Sequence, residues 1–208
     1  MRWYLNTLIA IFLIVVLRFA VVTTAAYAFA RLRFRGSRVL FLLILSGMLI
    51  TPDTTIVSRY LVYKYLALID TVWAVVIPSA FQVFFLFMLR QFFIGIPKDL
   101  TEAAIIDGCS HFQIYYKIIL PLTRPALISM VLFTFIWTWN NFIDPFIFIN
   151  RPEIQLISVG LQYFTDQNGS LYALQMTGAT FGIIPPIIIF GITQKYFVQG
   201  IAATGIKG

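Results

Sequence analysis

The sequence predicts an all-α, multi-pass transmembrane helical bundle. Three observations point there. Hydrophobic residues make up 60% of the 208 and charged residues only 11%, whereas soluble domains carry about a quarter charged. Several apolar stretches reach the roughly 20 residues that a helix needs to cross a hydrocarbon core of about 30 Å. The basic residues are also shared unevenly between alternate loops, as in membrane proteins of fixed orientation.

Five spans are expected, over residues 5–30, 38–60, 70–94, 124–148 and 173–197. The first is too long for a cleaved leader, Arg18 interrupts it, and no small-residue cleavage site follows a compact apolar core. A charge at that depth is costly in lipid, so Arg18 must face protein or water. Prolines mark edges or kinks of the other spans: Pro52, Pro78, Pro145 and the Pro185-Pro186 pair. Prolines inside spans are tolerated where neighbouring helices or polar groups re-satisfy the backbone.

The loop after the first span holds Arg31, Arg33, Arg35 and Arg38, and the loop after the third holds Arg90, Lys98, Lys117 and Arg124. Lys195 and Lys207 follow the fifth, while the opposite loops hold only Arg2, Arg59, Lys64 and Arg151. This places the N-terminus outside and the C-terminus in the cytoplasm. An outside N-terminus with no cleavable leader suggests a further helix upstream of Met1.

The net charge of +7 reflects these basic loops; no basic and aromatic run on a soluble domain points to nucleic acid. The single cysteine, Cys109, excludes an internal disulfide. The single histidine, His111, has no acid or nucleophile placed beside it, so it reads as a capping or surface residue. No nucleophile–base constellation and no metal-ligand spacing appear. The chain is therefore expected not to be an enzyme.

Residues 97–124 interrupt the oily pattern. They contain Asp99, Glu102 and Asp107 with Lys98, Lys117 and Arg124, which forbids a spanning helix. Asp99 with Glu102 has capping-box spacing, and Leu100, Ala103 and Ala104 give a small apolar face. Gly108 is expected to end this helix in the left-handed conformation. Ser110 and Gln113 form a second capping pattern. Phe112, Tyr115, Tyr116 and Ile119 then fall on one helical face, and Pro121 is expected to stop the helix. Two short helices joined by a glycine elbow suit a grip by another protein.

Glu102-Ala103-Ala104, three residues, Gly108, nine residues, then Ile118-x-Leu120-Pro121 resembles the EAA signature of permease subunits in binding-protein-dependent ABC importers. AYAFARLRFRG (26–36), LRQFFIGIPKDLTEAAIIDG (89–108), WNNFIDPFIF (139–148) and QGIAATGIKG (199–208) resemble carbohydrate permeases of the maltose-transporter type, and most closely the smaller permease subunit. The resemblance implies that residues 1–208 are one transmembrane domain, aligned with the last five of that subunit's six spans. It implies that the loop over 97–124 is a coupling element docking in a cleft of a cytoplasmic ATPase. Glu102 would pair with a basic residue there, or simply cap its helix. Ala103 and Ala104 would allow close approach, Gly108 would form the elbow, and Ile118, Leu120 and Pro121 complete the signature. The implied partners are a homologous second permease, an ABC ATPase dimer, an extracellular or periplasmic sugar-binding protein and the lipid membrane. ATP and magnesium would be used by the ATPase, with no cofactor on this chain. The tail from Gly200 would reach between the ATPase subunits. Gly200-x4-Gly205 is not a phosphate loop, because Ile206 stands where lysine is needed and no strand precedes it.

Sugars are bound by polar groups around aromatic faces. Candidate path residues are Gln82, Trp137, Thr138, Asn140, Asn141 and Asp144, with Thr134 and Trp139 nearby in sequence. The family pattern has an acid where Asn141 stands and an aromatic where Asp144 stands, so roles do not transfer directly. The expected function is a permease subunit of an ABC sugar uptake system, for an oligosaccharide or sugar derivative. The alternatives are an ABC permease for another small solute and an ion-coupled secondary transporter. Mid-span acids and internal repeats would favour the latter.

Overall fold

The structure is a computed structural model. It describes residues 2–166, 169–170 and 172–205, with side chains described outside 165–171, 174 and 195–205. Helices dominate. In chain order they are α1 (Arg2–Arg31), α2 (Ser37–Ser46), α3 (Ile56–Tyr65), α4 (Trp73–Ala80), α5 (Val83–Gly95) and α6 (Lys98–Ile106). There follow α7 (His111–Leu122), α8 (Arg124–Asn140), α9 (Ile143–Phe148), α10 (Ile157–Gly160) and α11 (Tyr172–Gly205). Among the described residues, extended structure is confined to an antiparallel pair of two-residue strands, β1 (Thr165–Asp166) and β2 (Gly169–Ser170).

Among the described residues, three helical stretches are long and apolar enough to cross a membrane: α1, Trp73–Gly95, and Gln175–Gln194 within α11. Two broken pairs, Ser37–Leu49 with Pro52–Tyr65 and His111–Leu122 with Arg124–Asn140, raise the number to five if each pair is one span. The expected spans over 38–60, 70–94 and 124–148 are therefore not continuous helices. At the first break Thr51 is extended, with ψ 134, because the ring of Pro52 bars the residue before it from the helical region. At the second, Gln82 is extended (φ −137) and its carbonyl accepts the amides of Phe85 and Leu86. At the third, Pro145 has no amide to give the carbonyl of Asn141, four residues back. That carbonyl accepts the hydroxyl of Ser158 instead, at 2.7 Å.

The chain divides into two units. One comprises Met1–Leu17, Thr51–Ala80 and Leu132–Gln194; the other comprises Arg18–Ile50, Phe81–Val131 and the stretch from Lys195 onward. α1, α8 and α11 run through both.

In the first unit, Ala10 and Ile14 of α1 pack with Val75, Val76, Ile149 and Leu156. Ile11 joins Phe135, Trp139 and Ile157. Polar groups at the start of α1 tie down the irregular chain after α9. Trp3 Nε1 donates to the Pro152 carbonyl, Asn6 Nδ2 to those of Glu153 and Gln155, and Thr7 Oγ1 accepts the amide of Ile157. Gly160 must be glycine here, since a Cβ would stand 2.4 Å from the Trp3 ring. The side chain of Gln155 is 1% exposed and fully used: it donates to the carbonyls of Pro145 and Ile149 and accepts the amide of Leu156. Asp70, at φ 60, closes the other side by donating its amide to the Phe148 carbonyl and accepting that of Asn150.

The Pro185-Pro186 pair sits inside α11 without ending it. Pro186 leaves the carbonyl of Gly182 without its helical donor, and Trp139 Nε1 supplies one at 3.0 Å. Trp139→Phe is expected to cost about 1 kcal/mol, the scale of one hydrogen bond in a membrane protein. It should appear as a lower thermal midpoint in detergent with normal insertion. An unchanged midpoint would remove this reason for tryptophan.

In the second unit, Val22 and Ala26 of α1 and Phe85, Leu86, Leu89 and Phe93 of α5 are buried. Arg18 is 4% exposed, with its guanidinium 4.6 Å from the Phe85 ring centroid. It therefore faces protein, as its cost in lipid requires. Arg90 lies 4.2 Å over the Phe41 ring and donates to the Phe29 carbonyl. A terminal nitrogen of Arg31 donates to the carbonyls of Phe93 and Ile96, each at 2.7 Å. A cation thus caps carbonyls at the C-terminus of α5, where the helix dipole also favours it.

Candidate functional site

The segment 97–124 forms two helices, α6 and α7, around Gly108. α6 begins at Lys98 with Pro97 at the N-cap and no side-chain cap. The Asp99–Glu102 capping box expected from spacing is not made. Pro97 has a fixed φ and no amide, so the helix starts one residue before Asp99 could act as a cap. Asp99 is left in the first turn, where its charge complements the helix dipole.

The end of α6 is a Schellman motif. Gly108 stands at φ 80, its amide donates to the Ile105 carbonyl at 3.0 Å, and the amide of Cys109 donates to the Ala104 carbonyl at 2.9 Å. Both bonds require the left-handed conformation at Gly108. α7 then starts with a complete capping box. Ser110 Oγ accepts the amide of Gln113 and Gln113 Oε1 accepts the amide of Ser110.

Burial divides the four residues expected on one face of α7. Tyr115 and Ile119 are buried together with Ile114, while Phe112 and Tyr116 are 73% and 63% exposed. Residues 115–119 form a π-helical turn, which inserts one extra residue per turn and rotates the side chains that follow. Tyr115 faces inward, where its hydroxyl lies 2.7 Å from Thr23 Oγ1 and its ring 5.4 Å from that of Tyr27. Pro121 does not stop the helix, which runs to Leu122. The chain turns at Thr123, whose hydroxyl donates to the Ile119 carbonyl, and α8 leaves at 77° to α7.

Of the candidate coupling residues, Glu102, Ala103, Gly108 and Pro121 are exposed, Ile118 and Leu120 are half-buried, and Ala104 is buried. The apolar side chains left outward beside them are Ile105, Ile106, Phe112 and Tyr116. His111 lies with Nδ1 3.4 Å from the Tyr27 hydroxyl.

The candidate path residues divide by environment. Asn141 and Asp144 are brought together by the break before α9. Asn141 Nδ2 donates to Asp144 Oδ2 at 3.0 Å, and the Asp144 amide donates to Asn141 Oδ1 at 3.3 Å. Asp144 Oδ1 is paired with Arg59 at 2.9 Å, and Arg59 lies 5.3 Å over the Phe148 ring. On α8, Thr138 and Trp139 are buried, whereas Trp137 and Asn140 are exposed. Trp137 packs on Phe133, ring centroids 5.6 Å apart. Phe133, Trp137 and Asn140 thus form one aromatic and polar stripe at helical spacing, although the Asn140 amide is turned back to the Ile136 carbonyl. Gln82 belongs to the other unit and is half-buried at the start of α5. Arg59, Ser158 and Gln155 were not picked out by sequence reading. The missing donor of Pro145 was the available signal for Ser158, and a lone arginine in a base-poor loop was the signal for Arg59. Residues 206–208 of the tail lie outside the described residues.

Comparison with known proteins agrees with this architecture. The chain is 34% identical over 208 residues to the probable ABC transporter permease protein YurM of Bacillus subtilis, covering 99% of this chain and 69% of that one. It is 31% identical to the arabinooligosaccharides transport system permease protein AraQ of the same organism, covering 100% of this chain and 74% of AraQ. In three dimensions it superposes with a TM-score of 0.85 and 26% identity on a bacterial ABC transporter involved in the import of the acidic polysaccharide alginate, over 94% of this chain and 74% of that one. Residues 1–203 match the family model described as binding-protein-dependent transport system inner membrane component, and the chain belongs to that family.

Proposed function

We propose that this inner-membrane component is a permease subunit of an ABC sugar importer, forming part of the path and coupling it to a separate ATPase through α6 and α7. The observation that carries the coupling role is the capped helix–glycine–helix, whose exposed side holds Glu102, Ala103, Ile106, Phe112 and Tyr116. A rigid elbow with an outward apolar face is a surface made to be gripped. α7 joins α8 directly through Thr123, so a force on the elbow reaches a membrane helix without a flexible linker. The names of the relatives, arabino-oligosaccharide and alginate among them, favour a carbohydrate cargo. The Phe133–Trp137–Asn140 stripe is the sugar-facing surface under this reading. ATP and magnesium act on the partner ATPase, a second permease completes the path, and a secreted binding protein delivers the sugar. The C-terminus lies in the cytoplasm.

Reconstitution of the chain with these partners in proteoliposomes tests the reading. Labelled oligosaccharide should accumulate only with ATP and loaded binding protein. Accumulation that follows a proton or sodium gradient without ATP would replace it with the ion-coupled alternative. ATP-driven accumulation of another solute class, with no sugar accepted, would overturn the cargo alone.

A further inference from the structure

Within the second unit, a cavity of about 720 Å³ opens between the end of α1, the chain that follows it and the elbow helices. Arg31, Arg33, Lys98, Thr101, Glu102 and His111 line it. Three fixed cations against one carboxylate make it electropositive, and among the described residues Glu102 forms no ion pair that would neutralise it.

Two of its lining groups are in an unusual state. Thr101 is 9% exposed and its hydroxyl is buried without a hydrogen-bond partner. Helical hydroxyls elsewhere in the chain bond back to the carbonyl four residues earlier, as Thr7, Thr23, Thr24, Thr123 and Thr193 do. Thr101 does not. Arg31 Nε is likewise buried and unpartnered, although the terminal nitrogen of the same side chain is engaged. Only four buried side-chain polar atoms lack a partner among the described residues, and two of them belong to residues of this one cavity. Buried groups of this kind each require an explanation, because an unmet donor costs its full desolvation.

We infer that this cavity is a binding site for a phosphate group. The chemistry matches the lining. Arginine and lysine neutralise a phosphate, a guanidinium and a hydroxyl both donate to its oxygens, and threonine can rotate between two helical rotamers to reach it. Arg31 ends a helix long and apolar enough to span a membrane, so the cavity lies at headgroup level. An anionic phospholipid is therefore one source of the phosphate and a soluble phosphate is the other. A bound phosphate would bridge the end of α1 to the face of α6 that carries Glu102.

The test uses the permease assembled with its partner subunits, purified in detergent, stripped of lipid and examined by native mass spectrometry. Phosphatidylglycerol is added against phosphatidylcholine, with and without inorganic phosphate. Phosphatidylglycerol should be retained preferentially, and R33Q/K98Q should reduce its occupancy about tenfold or more, the scale of one or two lost charge-assisted contacts. Thr101→Val should lower occupancy several-fold without lowering the thermal midpoint, because it deletes a hydroxyl with no protein partner. Displacement of the lipid by millimolar inorganic phosphate assigns the site to soluble phosphate, and resistance to displacement assigns it to the headgroup. Equal retention by wild type, R33Q/K98Q and Thr101→Val would overturn the inference, as would no preference for either anionic probe.

Discussion

Gly108→Val is expected to reduce co-purification of the ATPase by more than about tenfold while leaving membrane insertion and yield unchanged. A Cβ at Gly108 would meet nothing within 4 Å, so the substitution introduces no clash with neighbouring atoms. Its effect acts through the backbone alone. The native φ of 80 costs an L-residue roughly 1–2 kcal/mol, more when the side chain is β-branched, and about 1.4 kcal/mol is a factor of ten. A valine that escapes this strain must leave the left-handed region. It then breaks the Gly108–Ile105 and Cys109–Ala104 backbone bonds and redirects α7 from α6. α7 itself should survive, since the Ser110–Gln113 capping box is local. Gly108→Asn supplies the control, because asparagine visits the left-handed region at little cost. It should bind the ATPase nearly as wild type does. Valine and asparagine with equal, wild-type association would show that the elbow angle does not matter to docking. Equal loss in both would place the effect on the glycine surface rather than its conformation.

Asp144→Ala is expected to be the most destabilising substitution among the candidate path residues. The carboxylate pairs with Arg59 while both side chains keep only about a fifth of their surface, 18% and 20%. Removing one partner leaves a guanidinium over the Phe148 ring with no counter-charge. A fully buried pair loses about 3–5 kcal/mol on such a cut, and the residual exposure here lowers that to roughly 2 kcal/mol. The Asn141 amide also loses its acceptor. The double variant R59L/D144L should recover most of the midpoint, because two apolar side chains leave no unpaired charge. A double-mutant cycle read by thermal unfolding in detergent measures the coupling. Additive effects of the two single variants would mean that the 2.9 Å contact contributes little. Asp144→Asn also strips Arg59 of its counter-charge, and if Asn141 and Asp144 contact sugar it should raise the KM for uptake as well.

The parts of the fold legible in the sequence are those set by short-range physics. The Ser110–Gln113 box and the left-handed Gly108 depend on three or four consecutive residues, and both are present. The Asp99–Glu102 box had equal local merit and failed, because Pro97 shifts the start of α6 by its own geometry. A regular helical period puts Phe112, Tyr115, Tyr116 and Ile119 on one face of α7, whereas Tyr115 and Ile119 are buried and Phe112 and Tyr116 exposed. The π turn over 115–119 breaks that period, and nothing in the local pattern announces it. The expected spans were too smooth for a related reason. Hydropathy averages over a window, whereas Pro52 and Pro145 interrupt the backbone at single residues.

Composition, loop charge and the Glu102–Pro121 spacing were enough to determine a helical membrane protein with a helix–glycine–helix elbow. Each of those signals is a sum or a local pattern along the chain. Only the tertiary structure decided which groups answer the proline-stripped carbonyls of Asn141 and Gly182, namely Ser158 and Trp139. It alone paired Arg59 with Asp144 and gathered Arg31, Arg33, Lys98 and Thr101 around one cavity. These partners lie far apart in sequence, and a lone donor or charge has no partner written beside it. Burial makes the pairing obligatory, and only folding in three dimensions selects which distant side chain fulfils it.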